Sequence, residues 1–173
     1  MLTWTADVLA HGAGRSDAIL LRAAHRAVDD AGLASVAALA RATAPSRERQ
    51  AEAESQGTAF AAAAAVWGLT PSVTGLPYAV AVGAFARLHD IGEDAACASF
   101  VQAFAANLVS AAVRLVPLGQ TAGLRVVRAL EPTVLDVAHG TRGCSTDDLG
   151  AACFRSDLAS MRHETQYTRL FRS

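Results

Sequence analysis

Residues 95–113 read AACASFVQAFAANLVSAAV and carry no formal charge. At 19 residues this stretch approaches the length of a membrane-spanning helix. Polar side chains interrupt it, however, and its many alanines contribute little hydrophobicity. The interrupting residues are Ser99, Gln102, Asn107 and Ser110. We therefore favour a central apolar helix of about residues 94–116, surrounded by other helices, over a transmembrane helix.

Apolar residues recur at helical spacing on both sides of this stretch, and sustained alternation of apolar and polar residues is missing. The pattern predicts an all-α protein. Because 173 residues suffice to bury a core, we expect a single domain over residues 1–173, with about eight helices packed around the central one. The low charged fraction, 18%, argues against disorder.

Caps, glycines and prolines set the expected helix boundaries. Ser16 is a suitable N-cap for a helix that runs to Gly32. A later helix is expected over residues 119–130 and is expected to end at Pro132, because proline cannot continue the backbone hydrogen bonding.

Ser46 is expected to cap a long helix that extends to Trp67. The first half of this helix is charged and the second half is nearly pure alanine, so we expect a solvated first half and a buried second half. Gly57 within it costs about 1 kcal/mol relative to alanine. We therefore expect Gly57 to let another backbone approach closely.

Composition excludes several functions. The formal net charge of −1 gives no reason to expect binding of nucleic acid, which requires a basic face. All positively charged side chains are arginines, which rules out a P-loop lysine, a Schiff-base lysine and a lysine general base. Three cysteines without CxxC spacing, Cys97, Cys144 and Cys153, indicate a reducing compartment rather than a disulfide framework or a zinc module. The first residues lack a signal-peptide pattern.

Motifs of the common enzyme classes are also missing, including GxxxxGK[ST], GxGxxG, HExxH and GxSxG. The five histidines lie far apart and fit helix-surface or interface positions better than metal-ligand positions. Paired carboxylates, such as residues 93–94 and 147–148, fall at expected helix ends, where capping or solvation accounts for them. The sequence therefore predicts no catalytic residue, no metal site and no directly bound cofactor.

One internal segment has an unusual set of polar and helix-breaking residues. Asn107 and Arg114 are polar groups on an otherwise apolar helix. Pro117 and Gly119 then break the helix, and Gln120 begins the next one. A corner between two helices explains the pattern, and a specific polar surface for a partner is the alternative.

The end of the chain, MRHETQYTRLFRS over residues 161–173, combines arginines with a histidine, a glutamate and aromatics. Rigid aromatics and forked guanidinium groups are typical anchors of protein interfaces, so residues 157–173 are interpreted as a docking tail. The alternative is a C-terminal helix that folds back on its own domain. Tyr167 and Phe171 share a helix face in either case.

Two motifs resemble the urease accessory family UreF. RLVPLGQ at residues 114–120 is similar to an inner motif of the family, and ASMRHETQYTRLFRS at residues 159–173 is similar to its C-terminal signature. Weaker likeness extends through Trp4, LLRAAH at residues 20–25 and ESQG at residues 54–57. The resemblance therefore covers essentially the whole chain.

The resemblance implies an all-helical, cytoplasmic, non-enzymatic protein that forms a homodimer. In the family, this protein binds the scaffold UreD, also called UreH, and the pair recruits the GTPase UreG. The assembly delivers nickel to apo-urease with GTP hydrolysis. Nickel and GTP are accordingly expected to act through partner proteins, and neither nucleic acid nor a membrane is an expected partner.

The resemblance also implies roles for individual residues. Those expected to bind the UreD-type scaffold are Arg162, His163, Glu164, Tyr167, Arg169, Leu170, Phe171, Arg172 and Ser173. Those expected to form a corner that faces the dimer partner or the GTPase are Asn107, Arg114, Pro117, Gly119 and Gln120. Members of the family usually have a longer N-terminal region, so we expect a chain shortened at its start, by a misassigned start codon or a true truncation.

Two other functions stay open. The chain can modulate the GTPase by supplying an arginine to the nucleotide site of its partner. It can also act as a nickel-binding chaperone, for which the dispersed histidines and cysteines give only weak support.

Overall fold

The computed structural model describes residues 1–116 and 119–167 of the chain, and within these ranges it contains helices and no strand. The α-helices are α1 (Leu2–His11), α2 (Ala13–Arg26), α3 (Asp30–Ala42), α4 (Arg47–Ala64), α5 (Tyr78–Leu88), α6 (Glu93–Leu115), α7 (Gln120–Gly140) and α8 (Phe154–His163). Short 3₁₀ turns follow α4 at Ala65–Trp67 and precede α8 at Thr146–Asp148. The all-α prediction is confirmed.

One hydrophobic cluster joins α1, α2, α3, α5, α6 and α7. Within it, α5 is the most enclosed helix, since most of its residues are buried. Gly83 explains how closely α5 lies on α2, because a Cβ there would sit 2.2 Å from the carbonyl oxygen of Leu21. No side chain larger than hydrogen fits at that crossing.

A glycine also lets α4 pack closely against the segment before α5. A Cβ at Gly57 would lie 1.9 Å from the carbonyl oxygen of Leu76, which confirms the predicted close backbone approach. The cap prediction is confirmed too, since the Ser46 hydroxyl accepts from the Arg49 amide at 3.2 Å. The predicted burial of the alanine-rich half of α4 is wrong, because most of its alanines are exposed and Trp67 keeps 72% of its surface.

The charge-free stretch lies in α6, within one residue of the predicted bounds. This helix packs against α1, α2, α5 and α7. Its buried face is formed by Ala96, Cys97, Phe100, Val101, Ala105 and Val109. Within the described residues, α6 is the one helix long and apolar enough to cross a membrane by length and composition, a test that a core helix also passes.

Two predicted boundaries are wrong. The helix at Ser16 begins earlier, after Gly12, and ends at Arg26, because Asp29 starts a new helix by accepting from the Gly32 amide at 2.8 Å. Pro132 lies inside α7 rather than at its end. The proline is exposed, and buried residues on both sides of it, such as Leu130 and Val134, hold the two halves of α7 to the core.

A buried arginine ties the start of α6 to α2 and to the end of α7. Arg22 is 1% exposed and pairs with Glu93 and with Asp94, the latter at 2.9 Å. It also donates to the carbonyl of Ala138 at 2.6 Å and to the hydroxyl of Thr141 at 3.1 Å. A buried guanidinium needs this number of partners to offset its lost hydration.

Further arginines complete the network. Arg26 donates to Glu93 at 2.6 Å, and Arg142 pairs with Asp94 at 3.0 Å. Burial alone would raise the pKa of Glu93, but hydrogen bonds from Arg26 and Arg22 outweigh it and lower that pKa. Hydrogen bonds from Arg142 and Arg22 likewise lower the pKa of Asp94. The network is a structural clamp on the N-terminus of α6.

Candidate functional site

Helix α8 lies against the N-terminus of α4 through polar contacts along one side. The contacts are Ser46 Oγ with Ser160 Oγ at 2.7 Å, Glu48 Oε2 with His163 Nδ1 at 2.5 Å, and the Arg47 amide with Glu164 Oε1 at 2.6 Å. None of these pairs belongs to the hydrophobic cluster. Helix α8 is therefore positioned by hydrogen bonds rather than by core packing.

The chain just before α8 is fixed to α1. The Ala152 amide donates to the carbonyl of His11 at 2.7 Å, and the Cys153 thiol donates to the carbonyl of Asp7 at 3.3 Å. Burial raises the pKa of that thiol, so Cys153 stays protonated in this contact. These bonds fix where α8 begins.

The opposite side of α8 is apolar and exposed. Phe154, Leu158 and Met161 keep 70%, 52% and 47% of their surface. Their spacing of four and three residues places them on one helix face, which we call the α8 stripe. Large apolar side chains grouped in this way mark an interaction surface more often than scattered ones do.

The predicted scaffold-binding residues fall into three groups. Arg162 and Tyr167 are exposed, and Tyr167 is fully so. His163 and Glu164 face the N-terminus of α4 in the contacts given above. The rest of the predicted set lies outside the described residues: Arg169, Leu170, Phe171, Arg172 and Ser173.

The predicted docking tail, residues 157–173, includes Leu158 and Met161 of the α8 stripe, but no stripe residue was among the predicted scaffold-binding residues. A signal was available, because Phe154, Leu158 and Met161 recur at helical spacing in an otherwise polar segment. The pattern alone does not distinguish an exposed face from one folded onto the core. The exposed fractions of the three side chains in the structure show that the apolar face points outward.

A cleft of about 480 Å³, here called the Asp17 cleft, opens beside α8. Its walls come from α2, α4, α5, α6 and the region around α8, and they mix apolar and polar side chains. The charged side chains that line it are Asp17, Arg49, Glu52, Arg114 and Asp157. Asp157 lies on α8 itself, so the cleft and the α8 stripe are adjacent.

The predicted corner residues are only partly brought together. Asn107 and Arg114 both line the Asp17 cleft, and the Arg114 Nε donates weakly to the carbonyl of Ser110 at 3.4 Å. Gly119 is the N-cap of α7 and Gln120 its first residue, and neither lines the cleft. Pro117 lies outside the described residues.

The Asp17 carboxyl has an unfavourable environment for its charge. The pKa of Asp17 is raised to about 6, chiefly by the partial burial of its carboxyl; Arg49 lowers that pKa, and Glu52 raises it. Arg49 is itself bonded to Glu52. Among the described residues, no cation forms an ion pair with Asp17.

Within residues 1–116 and 119–167, no three histidine, cysteine, aspartate or glutamate side chains are grouped as a metal ion would require. The acidic pairs of this part of the chain instead bond to arginines or cap turns, as Asp148 does for Ser145 at 2.8 Å.

The family model described as UreF matches residues 1–131. A protein of Xanthobacter autotrophicus is 50% identical over 99% of this chain and 75% of its own length. A protein of Rhodopseudomonas palustris is 50% identical over 98% of this chain and 75% of its own length.

A protein of Methylorubrum populi is 45% identical over 98% of this chain and 81% of its own length. All three relatives are named urease accessory protein UreF. These alignments, unlike the family model, extend through α8. The chain belongs to the UreF family of urease accessory proteins.

Proposed function

We propose that the chain is a non-enzymatic assembly factor of urease maturation, and that α8 with the following residues is the surface that binds a UreD-type scaffold. The exposed α8 stripe is the observation that carries this proposal. A helix held to its own molecule by polar contacts leaves its apolar face available for a partner.

The assembly then acts as the family resemblance implies. The chain, as a homodimer bound to the scaffold, recruits a UreG-type GTPase, and the complex delivers nickel to apo-urease in the cytoplasm. Nickel and GTP act through the partners. Membership of the UreF family supports this role.

The tail residues extend the proposed surface. Arg162 and Tyr167 are exposed and are proposed to contact the scaffold together with residues 169–173. His163 and Glu164 are proposed to contribute by holding α8 on α4. Asn107 and Arg114 are proposed to face a partner from the Asp17 cleft, next to the same surface.

The test compares two exposed leucines, each the fifth residue of its helix. Leu158→Glu changes the α8 stripe, and Leu124→Glu changes α7, where Leu124 keeps 69% of its surface. Affinity for the purified scaffold, measured by calorimetry, is expected to fall by about thirtyfold or more in the first variant, as for a central interface residue. The Leu124 variant is expected to bind like the unmodified chain.

Deletion of residues 169–173 is expected to abolish co-purification with the scaffold and to leave the helical circular dichroism unchanged. Equal affinity of the two leucine variants, or undiminished co-purification of the deleted chain, would refute the role of this surface.

A further inference from the structure

The Asp17 cleft holds an excess of negative charge next to the proposed scaffold surface. Three carboxylates line it, from Asp17, Glu52 and Asp157, against two guanidinium groups, from Arg49 and Arg114. Arg49 is bonded to Glu52, and Arg114 donates to a backbone carbonyl of its own helix. Asp17 and Asp157 are therefore the two lining carboxylates for which the described residues offer no ion pair.

The position of Asp17 makes its negative charge unfavourable for the stability of the folded chain. The cleft is about 480 Å³ in volume and is walled by apolar residues such as Leu20, Phe104 and Leu108 as well as by the charged ones. In such surroundings a carboxylate loses hydration, and the burial that raises the pKa of Asp17 reflects that loss. A neutral residue at position 17 would give a more stable fold if the cleft had only a structural purpose.

We propose that the Asp17 cleft receives a basic side chain, arginine or lysine, from the polypeptide that binds the α8 stripe. An arginine suits the site because its guanidinium can bond to a carboxylate in a bidentate manner while its methylene stem contacts the apolar walls. Asp157 adjoins Leu158 of the stripe, so a partner bound there lies at the mouth of the cleft.

This inference rests on the proposed function and adds the chemistry of one contact to it. The partner contributes a positive charge at the edge of its α8-binding face. Pairing that charge with Asp17 requires the carboxylate form, so binding releases a proton wherever Asp17 is protonated in the free chain.

The first experiment measures affinity for the purified UreD-type scaffold at pH 7.5. Asp17→Asn is the test variant, since it keeps the shape of the side chain and removes its charge. Asp136→Asn on the exposed surface of α7 is the control. We expect at least about a tenfold weaker affinity for the Asp17 variant, as for removal of one partner of a desolvated charge pair, and no change for the control.

The second experiment repeats the measurement at pH 5.5. The other ionisable groups that line the cleft are Arg49, Glu52, Tyr78, Arg114 and Asp157, and no histidine is among its described lining residues. With a pKa of about 6 in the free chain, Asp17 is mostly protonated at pH 5.5. The unmodified chain is therefore expected to lose about fourfold in affinity beyond any loss that the Asp17 variant shows.

The outcomes are distinct. Equal affinity of the unmodified chain and the Asp17 variant overturns the inference and leaves the proposed function standing. Absence of scaffold binding by the unmodified chain overturns the proposed function and the inference together. A carbon-13 NMR titration of the Asp17 carboxyl in the isolated chain adds a third outcome: titration below pH 4 would show that a cation of the chain itself fills the cleft, which also overturns the inference.

Discussion

Substitution of Asp17 by asparagine is expected to stabilise the isolated chain at neutral pH. Burial raises the pKa of Asp17 from 3.8 to about 6, a difference of roughly two pH units. Each unit corresponds to about 1.4 kcal/mol of preference for the protonated form in the folded state. Ionised Asp17 therefore costs up to about 3 kcal/mol of stability at pH 7.5, and asparagine avoids most of this cost.

The sign of the pH dependence follows from the same shift. A carboxyl whose pKa is higher in the folded state than in the unfolded state binds more protons when folded between pH 3.8 and about 6. Stability from this group is therefore fully present below pH 3.8 and is lost as the pH rises through about 6. The advantage of Asp17→Asn is expected to be largest at pH 7.5 and to shrink toward zero near pH 4.

Urea unfolding followed by circular dichroism, at pH 7.5 and pH 4, measures both effects. Urea is preferred to guanidinium chloride, because guanidinium is itself a cation that can enter the Asp17 cleft. Asp136→Asn, on the exposed surface of α7, is the control and is expected to change stability little at either pH. An Asp17 variant that is no more stable than the unmodified chain at pH 7.5 would refute the argument that this carboxylate is unfavourably buried.

Two further predictions concern the stability of the fold. Gly57→Ala is expected to destabilise the chain by about 2 kcal/mol in urea unfolding, because overpacking against the Leu76 carbonyl outweighs the better helix propensity of alanine. Gly140→Ala is the control and is expected to be neutral or stabilising, since nothing lies within 4 Å of a Cβ at that position. Equal effects of the two substitutions would contradict the close backbone approach at Gly57. Arg22→Met is expected to cost about 3 kcal/mol at pH 7, since it leaves Glu93 with one arginine fewer. Because the pKa of Glu93 is lowered from 4.5, its contribution is present above that pH and is lost in acid, so the loss measured at pH 3 should be smaller than at pH 7.

Local sequence signals located much of this fold. Ser46 caps α4 as predicted. Gly57 correctly predicted a close backbone contact, because glycine lowers the stability of a helix relative to alanine and is expected where a larger side chain does not fit. Local signals failed where tertiary packing decided the outcome. Pro132 stayed within α7 because buried residues on both sides hold that helix. Most alanines in the second half of α4 stayed exposed because, within the described residues, the packing of α5 on α4 covers few of them.

The candidate site was predictable in part. The composition of the C-terminal segment indicated docking, and Asn107 and Arg114 were singled out before the structure placed both in one cleft. No role was predicted for Asp17, since nothing local shows that residues of α4, α6 and α8 line a cleft around it. The clamp formed by Arg22 was also invisible in sequence, because its acidic partner Glu93 lies 71 residues away.

The central claim is that a partner polypeptide binds the apolar face of α8. Hydrogen exchange of backbone amides, with and without the purified scaffold, tests it most directly. Residues 154–167 are held to the rest of the molecule by few contacts, so their amides should exchange readily in the free chain. The account predicts strong protection of these residues in the complex and little change in α7. Binding that protects other helices and leaves the exchange of residues 154–167 unchanged would contradict it.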